Sequence, residues 1–329
     1  MLYPITFRPR LKHRPWGGRR LAELYGKPLG KAEQIGESWE ISDRPDEESV
    51  IANGPLRGRS LRWLMEKHGA ELLGRQPAKG ERFPWLCKIL DARQDLSLQV
   101  HPPARLAKRL RGEPKTEMWY VADADRGASL YVGLKKGVTR EEFEKRSRDG
   151  SVAKCFHRHR VGQGDVMFLP SGRVHAIGGG QVIFEIQQNS DTTYRVFDWN
   201  RKGKDGKPRE LHIEQSLASI DFEDFEPALV GRETREVDGV AVRTLVKHAL
   251  FGIAHWQLGD GAETALAPGL QVLAVVAGEV IVEHGKSRLR LGAGKYCLVP
   301  ASTVEVRLRA RTSAGLLRVV PGKVRSAAR

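Results

Sequence analysis

The stretch Gly164-Asp-Val-Met-Phe-Leu-Pro170-Ser-Gly172-Arg-Val-His175 decides how this chain is read. It describes a glycine turn, a short buried strand stopped by proline, and a tight corner that aims one side chain inward. The same frame returns at Gly294-Lys-Tyr-Cys-Leu-Val-Pro300-Ala-Ser302-Thr-Val-Glu305, with Ser302 and Glu305 where the first copy has Gly172 and His175. A frame used twice predicts two related β units, one ending its corner on histidine and the other not.

The rest of the chain agrees with a β core. Apolar runs bounded by Gly, Pro and Asp predict strands over residues 85–90, 166–169, 182–186, 272–276 and 296–299. Helical patterns are fewer, over 56–73, 104–110 and 140–148, the last opened by a capping box of Thr139 and Glu142. No glycine-rich phosphate loop follows a strand, so nucleotide-binding α/β folds lose their main support. The repeated frame resembles the second conserved motif of cupins, small double-sheet β-barrels in which the terminal histidine binds a metal. That resemblance implies a mainly β chain of two cupin-like jelly-roll barrels with a few decorating helices. The acidic stretch Asp221-Phe-Glu-Asp-Phe-Glu-Pro227 marks the expected join, because few core contacts should cross such a segment. A metal-binding domain over 1–227 and a second domain without metal ligands over 228–329, ending in a basic tail from Pro321, are therefore expected.

Composition narrows the class. Of 329 residues, 40% are hydrophobic and 29% charged, an ordinary globular balance. No run reaches the roughly 18 apolar residues of a membrane span. The N-terminus has no basic stretch leading into an apolar core, so a cytoplasmic protein is expected. Cys87, Cys155 and Cys297 are widely spaced with no CxxC pair, which excludes a disulfide framework and a thiolate zinc finger. The net charge of +15 raises an anionic partner as a possibility. Much of the excess lies near the C-terminus, where Arg288-Leu-Arg290-Leu and Arg307-Leu-Arg309-Ala-Arg311 alternate basic with apolar. A period of two puts those charges on the outer face of strands, and no nucleic-acid-binding motif accompanies them.

A metal-binding His175 needs partners on a facing strand. In Leu98-Gln99-Val100-His101, Gln99 and His101 share one side by strand parity. Glu117 stands inside the strand-like run Thr116-Glu-Met-Trp-Tyr-Val121, where a lone carboxylate is costly to bury without a cation. Gln, two His and Glu make a mixed nitrogen and oxygen site suited to zinc, with iron, manganese and nickel as alternatives. His157-Arg158-His159 has a ligand-like spacing too, but its interleaved cations oppose metal binding and it reads as a solvated basic strand.

Five segments carry a more specific resemblance: Gly36-Glu-Ser-Trp-Glu-Ile-Ser42; Lys88-Ile-Leu-Asp-Ala92 with Leu96-Ser-Leu-Gln-Val-His-Pro102; Lys115-Thr-Glu-Met-Trp-Tyr120; the Gly164 to Ile177 stretch; and Glu185-Ile-Gln-Gln-Asn-Ser-Asp-Thr-Thr-Tyr-Arg-Val-Phe-Asp-Trp199. In order and spacing, over roughly residues 4 to 220, they resemble type I mannose-6-phosphate isomerase in its short bacterial form. The resemblance implies a zinc-dependent aldose–ketose isomerase that interconverts mannose 6-phosphate and fructose 6-phosphate through an enediol, with one zinc ion per chain. The family's ligands fall on Gln99, His101, Glu117 and His175, and its active-site arginine on Arg195.

Moving a carbonyl between C1 and C2 calls for a base, an electrophile and an anion clamp. Arg195, always charged, suits the enediolate and is no base. Lys115, two residues before Glu117 and on the same strand face, is read as a base, a phosphate contact or a bystander. The expected partner is a small sugar phosphate; a membrane is not expected and nucleic acid is disfavoured, while the sequence leaves the oligomeric state open. Rival readings are another sugar-phosphate cupin, such as a glucose-6-phosphate isomerase, and a silent sugar-binding or DNA-binding regulator.

Overall fold

The computed structural model describes residues 2–30, 34–202 and 206–322. The basic tail expected beyond Pro321 lies, from residue 323 on, outside the described residues. The architecture is mainly β and of cupin type, built as two pairs of facing antiparallel sheets. In the first pair a six-stranded sheet runs in the order Val166–Leu169, Glu117–Ala124, Gln181–Gln188, Trp85–Ala92, Ile35–Ile41 and Arg10–Gly18. It faces a five-stranded sheet ordered Tyr194–Phe197, Leu98–Val100, His175–Ile177, Ser129–Leu134 and Phe156–Arg160. Leu90, Trp119, Val121 and Ile183 from one sheet meet Leu130, Val132 and Ile177 from the other. The second pair sets a six-stranded sheet, from Arg235–Val237 through Tyr296–Val299, against a four-stranded one. Leu273, Val275 and Leu316 fill its interior with Val280, Val282 and Leu308.

The two six-stranded sheets pack against each other, so the central strands are buried on both faces. Along Trp85–Ala92 every residue is buried. Cys87 and Ile89 join Met118 and Phe184 in a cluster with Val272, Ala274, Tyr296 and Leu317 of the second pair, whereas Leu90 and Ala92 point the other way into the first pair. This double burial explains why these strands read as nearly continuous apolar runs rather than as alternating ones.

The segment 221–227 does more than tether. Phe222 and Phe225 pack beneath the five-stranded sheet, the Leu134 amide donates to the Asp224 carbonyl at 3.0 Å, and the Glu226 amide donates to the Leu134 carbonyl at 2.9 Å. The expectation of few core contacts at this point is therefore corrected, because its two phenylalanines supply apolar area that the neighbouring helices need to cover. Those helices, Arg140–Asp149 and Ile213–Ser219, lie on the outer side of the five-stranded sheet, with Phe143 and Leu217 against Leu98, Val100 and Val196.

Helix boundaries follow their caps. Thr139 accepts from the Glu142 amide at 3.1 Å, as a capping box requires. The helix expected over 56–73 begins only at Leu61, because Gly58 takes a left-handed φ of 91° and the Ser60 hydroxyl caps the Trp63 amide. The one expected over 104–110 is a single turn, Ala104–Ala107. In the C-terminal strands Arg288, Arg290, Arg307 and Arg309 are exposed while Leu291 and Leu308 are buried, so the basic residues do form an outer face. Several are paired there, Arg288 with Glu283 at 3.2 Å and Arg309 with Glu263 at 3.4 Å.

Phe184 is fully buried between the two six-stranded sheets, edge-on to Tyr25 and stacked with Tyr296. Phe184→Ala should cost about 3–5 kcal/mol of stability through lost burial and the cavity left behind, measured by urea denaturation of the whole chain.

Candidate active site

The first sheet pair opens at one end into a cleft of about 460 Å3, lined among others by Arg14, Glu37, Lys88, Gln99, Lys115 and Arg195. Its floor is set by sheet register. His175 and Arg195, on the strands either side, are both register partners of Gln99, so the three residues form one row across the five-stranded sheet. Glu117 begins the facing strand, and Gly172, held by a hydrogen bond from its amide to the His101 carbonyl at 2.9 Å, ties the corner before His175 to the end of the Gln99 strand. That glycine has φ of 97°, a backbone conformation that other residues seldom adopt.

His101, Glu117 and His175 converge. One donor atom from each lies within 4.8 Å of the other two, and all three residues are buried. The His101 Nε2 is 3.5 Å from one Glu117 oxygen and the His175 Nε2 is 3.4 Å from the other. Each imidazole is oriented from behind, because Nδ1 of His101 donates to the Thr192 carbonyl at 2.8 Å and Nδ1 of His175 donates to the Arg173 carbonyl at 2.9 Å. A carbonyl only accepts, so the protons sit on Nδ1 and both Nε2 lone pairs face the glutamate. Burial pushes the His101 pKa down to about 3, helped by the Lys115 charge and opposed by Glu117. His175 shifts the same way, again chiefly through burial. Both rings are thus neutral, the form that binds metals.

These residues fit a divalent cation. Glu117 is completely buried, and neither of its oxygens has a hydrogen-bond partner of proper geometry. Burial works to raise its pKa, but Lys115 and the two histidines bring it well below the usual carboxylate range, so the group is an anion. An anion whose two oxygens face two neutral imidazole nitrogens is a donor set that suits a divalent cation. Gln99 completes the set, its amide nitrogen 3.3 Å from the His175 Nε2. A half turn of that amide presents its oxygen instead.

Lys115 and Arg195 sit at the rim of this group. The Lys115 Nζ is 2.7 Å from Glu117 and 3.3 Å from the His101 Nε2, with only 5% of its side chain exposed. Burial alone lowers its pKa, yet Glu117 and Glu185 overcome that and shift it upward. The Arg195 guanidinium donates through Nη1 to the Glu210 carbonyl at 2.8 Å, while its buried Nε has no partner. The structure does not bring His157 and His159 to the cleft; their strand is the far edge of the five-stranded sheet, with Arg158 and Arg160 exposed. The histidines themselves are half-buried, their rings 4.4 Å apart, while the basic residues between and after them face solvent as expected.

Two further charged residues, buried on the central strands, line the cleft. Lys88 and Glu185 are register partners on the central strands, both buried, their charges 3.4 Å apart. The signal that exposed Glu117, a charge inside an apolar strand, is equally present in Trp-Leu-Cys-Lys88-Ile-Leu and Val-Ile-Phe-Glu185-Ile.

A model of the type I phosphomannose isomerase catalytic domain matches residues 5–145, and one of the mannose-6-phosphate isomerase cupin domain matches residues 241–320. The mannose-6-phosphate isomerase ManA of Bacillus subtilis strain 168 is 36% identical over 311 residues, covering 93% of this chain and 95% of the relative. This chain belongs to the type I mannose-6-phosphate isomerase family. Its activity is accordingly that of a mannose-6-phosphate isomerase, an enzyme acting on a small sugar phosphate. The crystal structure of the mannose 6-phosphate isomerase from Bacillus subtilis superposes with a TM-score of 0.88 at 30% identity, over 97% of this chain and 99% of that one. A mannose 6-phosphate isomerase crystallised with zinc and yttrium shares the fold at a TM-score of 0.78 and 19% identity, over 98% and 100% of the two chains. Among the described residues, no helix is long and apolar enough to cross a membrane.

Glu37 gives the cleft wall a measurable pH dependence. Burial tends to raise its pKa, but Lys88 and Arg14 bring it down from 4.5 to about 2. A carboxyl lowered in the folded state adds stability above its unfolded pKa and loses it as pH falls toward the folded one. Glu37→Gln should therefore be less stable than the parent at pH 7, by about 3 kcal/mol at most, with the gap closing between pH 4.5 and 2. Thermal unfolding followed across that range is the check.

Proposed function

We propose that the enzyme interconverts mannose 6-phosphate and fructose 6-phosphate through an enediol, with one zinc ion per chain held by Gln99, His101, Glu117 and His175. The observation that carries this reading is the buried Glu117 carboxylate, paired with Lys115 at 2.7 Å and faced at 3.5 and 3.4 Å by two histidine nitrogens. The mixed nitrogen and oxygen donors suit zinc, and a relative of the same fold was crystallised with it. Bound there, zinc supplies Lewis acidity to the substrate oxygens.

The chain's own residues do the rest. A proton leaves the carbon beside the carbonyl and returns to its neighbour, while the charge that develops between them rests on oxygen. Arg195, a fixed cation with its Nε free, faces that charge and steadies the enediolate. Lys115 is proposed as the group that carries the proton on Nζ. Glu117 at 2.7 Å and Glu185 hold its proton on Nζ, beside the cleft that the side chain lines; a cation bound at Glu117 would weaken that hold. Basic side chains lining the cleft raise the local concentration of a dianionic substrate.

The same reading assigns residues 1–227 to a catalytic domain and 228–329 to a second domain without metal ligands. The position in the second copy of the motif that corresponds to His175 is Glu305, which is exposed. The enzyme is placed in the cytoplasm and in carbohydrate metabolism.

Purified enzyme treated with a chelator should stop converting mannose 6-phosphate and recover when zinc is returned, with glucose 6-phosphate as the control substrate. In the same preparations His175→Ala should hold well under one zinc per chain by elemental analysis. Turnover that survives with no metal bound would defeat the metal assignment, and preference for glucose 6-phosphate would defeat the substrate assignment. For the proton carrier, Lys115→Ala should lose kcat by about 100-fold or more with a smaller change in KM. Near-parental kcat with a raised KM would instead make Lys115 a substrate contact.

A further inference from the structure

Asp198 lies one residue past the end of the Arg195 strand and is 5% exposed. Its carboxylate is shared by two guanidinium groups. Arg209 approaches it side-on, Nε donating to Oδ2 at 2.7 Å and Nη2 to Oδ1, and Arg201 donates to Oδ1 as well. Two of the residues that follow Asp198 are anchored to the segment that leads into Gln99. The Trp199 indole donates to the Leu96 carbonyl at 2.7 Å, and Arg201 Nη1 donates to the Asp95 carbonyl at 2.6 Å. Between them the chain makes a costly turn, with Trp199 and Asn200 both in the left-handed region at φ of 56° and 54°. Two adjacent residues other than glycine keep such a conformation only where their surroundings over-determine it.

The consequence reaches Arg195 through one peptide. Arg209, fixed by Asp198, precedes Glu210, and it is the Glu210 carbonyl that receives the Arg195 Nη1 at 2.8 Å. His212 closes the segment against the same strand, its amide donating to the Arg195 carbonyl at 2.8 Å and its Nδ1 accepting from the Arg195 amide at 3.2 Å. Nothing else in the described residues orients that guanidinium by a hydrogen bond, and its Nε remains open. We propose that Asp198 is a positioning residue of the isomerase, which fixes Arg209 and thereby the Glu210 carbonyl that aims the Arg195 guanidinium into the cleft. This rests on the proposed part of Arg195 in the reaction. It assigns to one buried carboxylate, outside the group of metal-binding candidates, control over the orientation of Arg195.

The test is a double-mutant cycle of Asp198→Asn with Arg195→Gln on the zinc-loaded full chain, reading kcat/KM for mannose 6-phosphate together with the melting temperature. Arg195→Gln should lower kcat/KM about 100-fold or more. Asp198→Asn keeps the side chain's shape and removes the charge that holds Arg209; it should lower kcat/KM at least tenfold in the parent, yet less than twofold when Arg195 is already Gln. A purely structural part for Asp198 predicts that the two losses multiply, and that outcome overturns the inference, as does a parental kcat/KM for Asp198→Asn. If Asp198→Asn does not fold, Arg209→Gln replaces it in the cycle. Arg209 is more exposed, and the same loss of additivity is expected. Full activity in Arg195→Gln alone would instead remove the proposed part of Arg195, and this inference with it.

Discussion

The buried carboxylate of Glu117, at the start of a strand covered on both faces, is the constraint around which the site is organised. An isolated charge in such a place costs several kcal/mol or more, so it persists only with compensating charge close by. Lys115 supplies part of it at 2.7 Å. The two histidines add oriented lone pairs rather than charge, since burial keeps both neutral. A buried carboxylate facing two neutral imidazole nitrogens is the physical case for a divalent ion.

The second sheet pair contributes to this indirectly. Its six-stranded sheet covers the outer face of the strands that carry Lys88, Glu117 and Glu185, so Met118, Cys87, Ile89 and Phe184 meet an apolar partner instead of water. Strands buried on both faces are closely packed, and each central one is held in register by a partner on either side. The cleft is therefore lined by charges on a rigid floor, a favourable place for preorganised electrostatics. Tethers from the second pair reinforce it, such as the Tyr296 hydroxyl donating to the Lys88 carbonyl at 3.2 Å and the buried Arg243 donating to the carbonyls of Gly164, Val230 and Gly231. The Arg195 end of the site, on the edge strand Tyr194–Phe197, is followed by ion pairs around Asp198.

Much of this was legible in the residues. The paired turn frames implied two β units, and the strand limits at Val166–Leu169 and Tyr296–Val299 follow directly from glycine and proline punctuation. Parity placed Gln99 and His101 together, although the strand itself ends at Val100 and His101 is held by the Thr192 and Gly172 contacts beyond it. The pairing of Lys88 with Glu185 is not readable from the residues, because a single charge in an apolar run shows that something must compensate it but not which residue does; it depends on two strands almost a hundred residues apart in the chain. The docking of residues 221–227 was hidden for a related reason. Four acids in seven residues suggest solvent, and only the underside of the five-stranded sheet shows where its two phenylalanines go.

By itself, the sequence determined the local grammar: where turns must fall, which strands carry charges that need a partner, and which family the motifs belong to. These depend on backbone sterics and side-chain periodicity, which act over a few residues. The tertiary structure alone decided which charges meet, that both histidine Nε2 atoms face one carboxylate, and that a buried aspartate past the Arg195 strand holds the peptide that orients that arginine. Such facts arise from register and sheet packing, where long-range apolar burial brings distant segments to within hydrogen-bond reach.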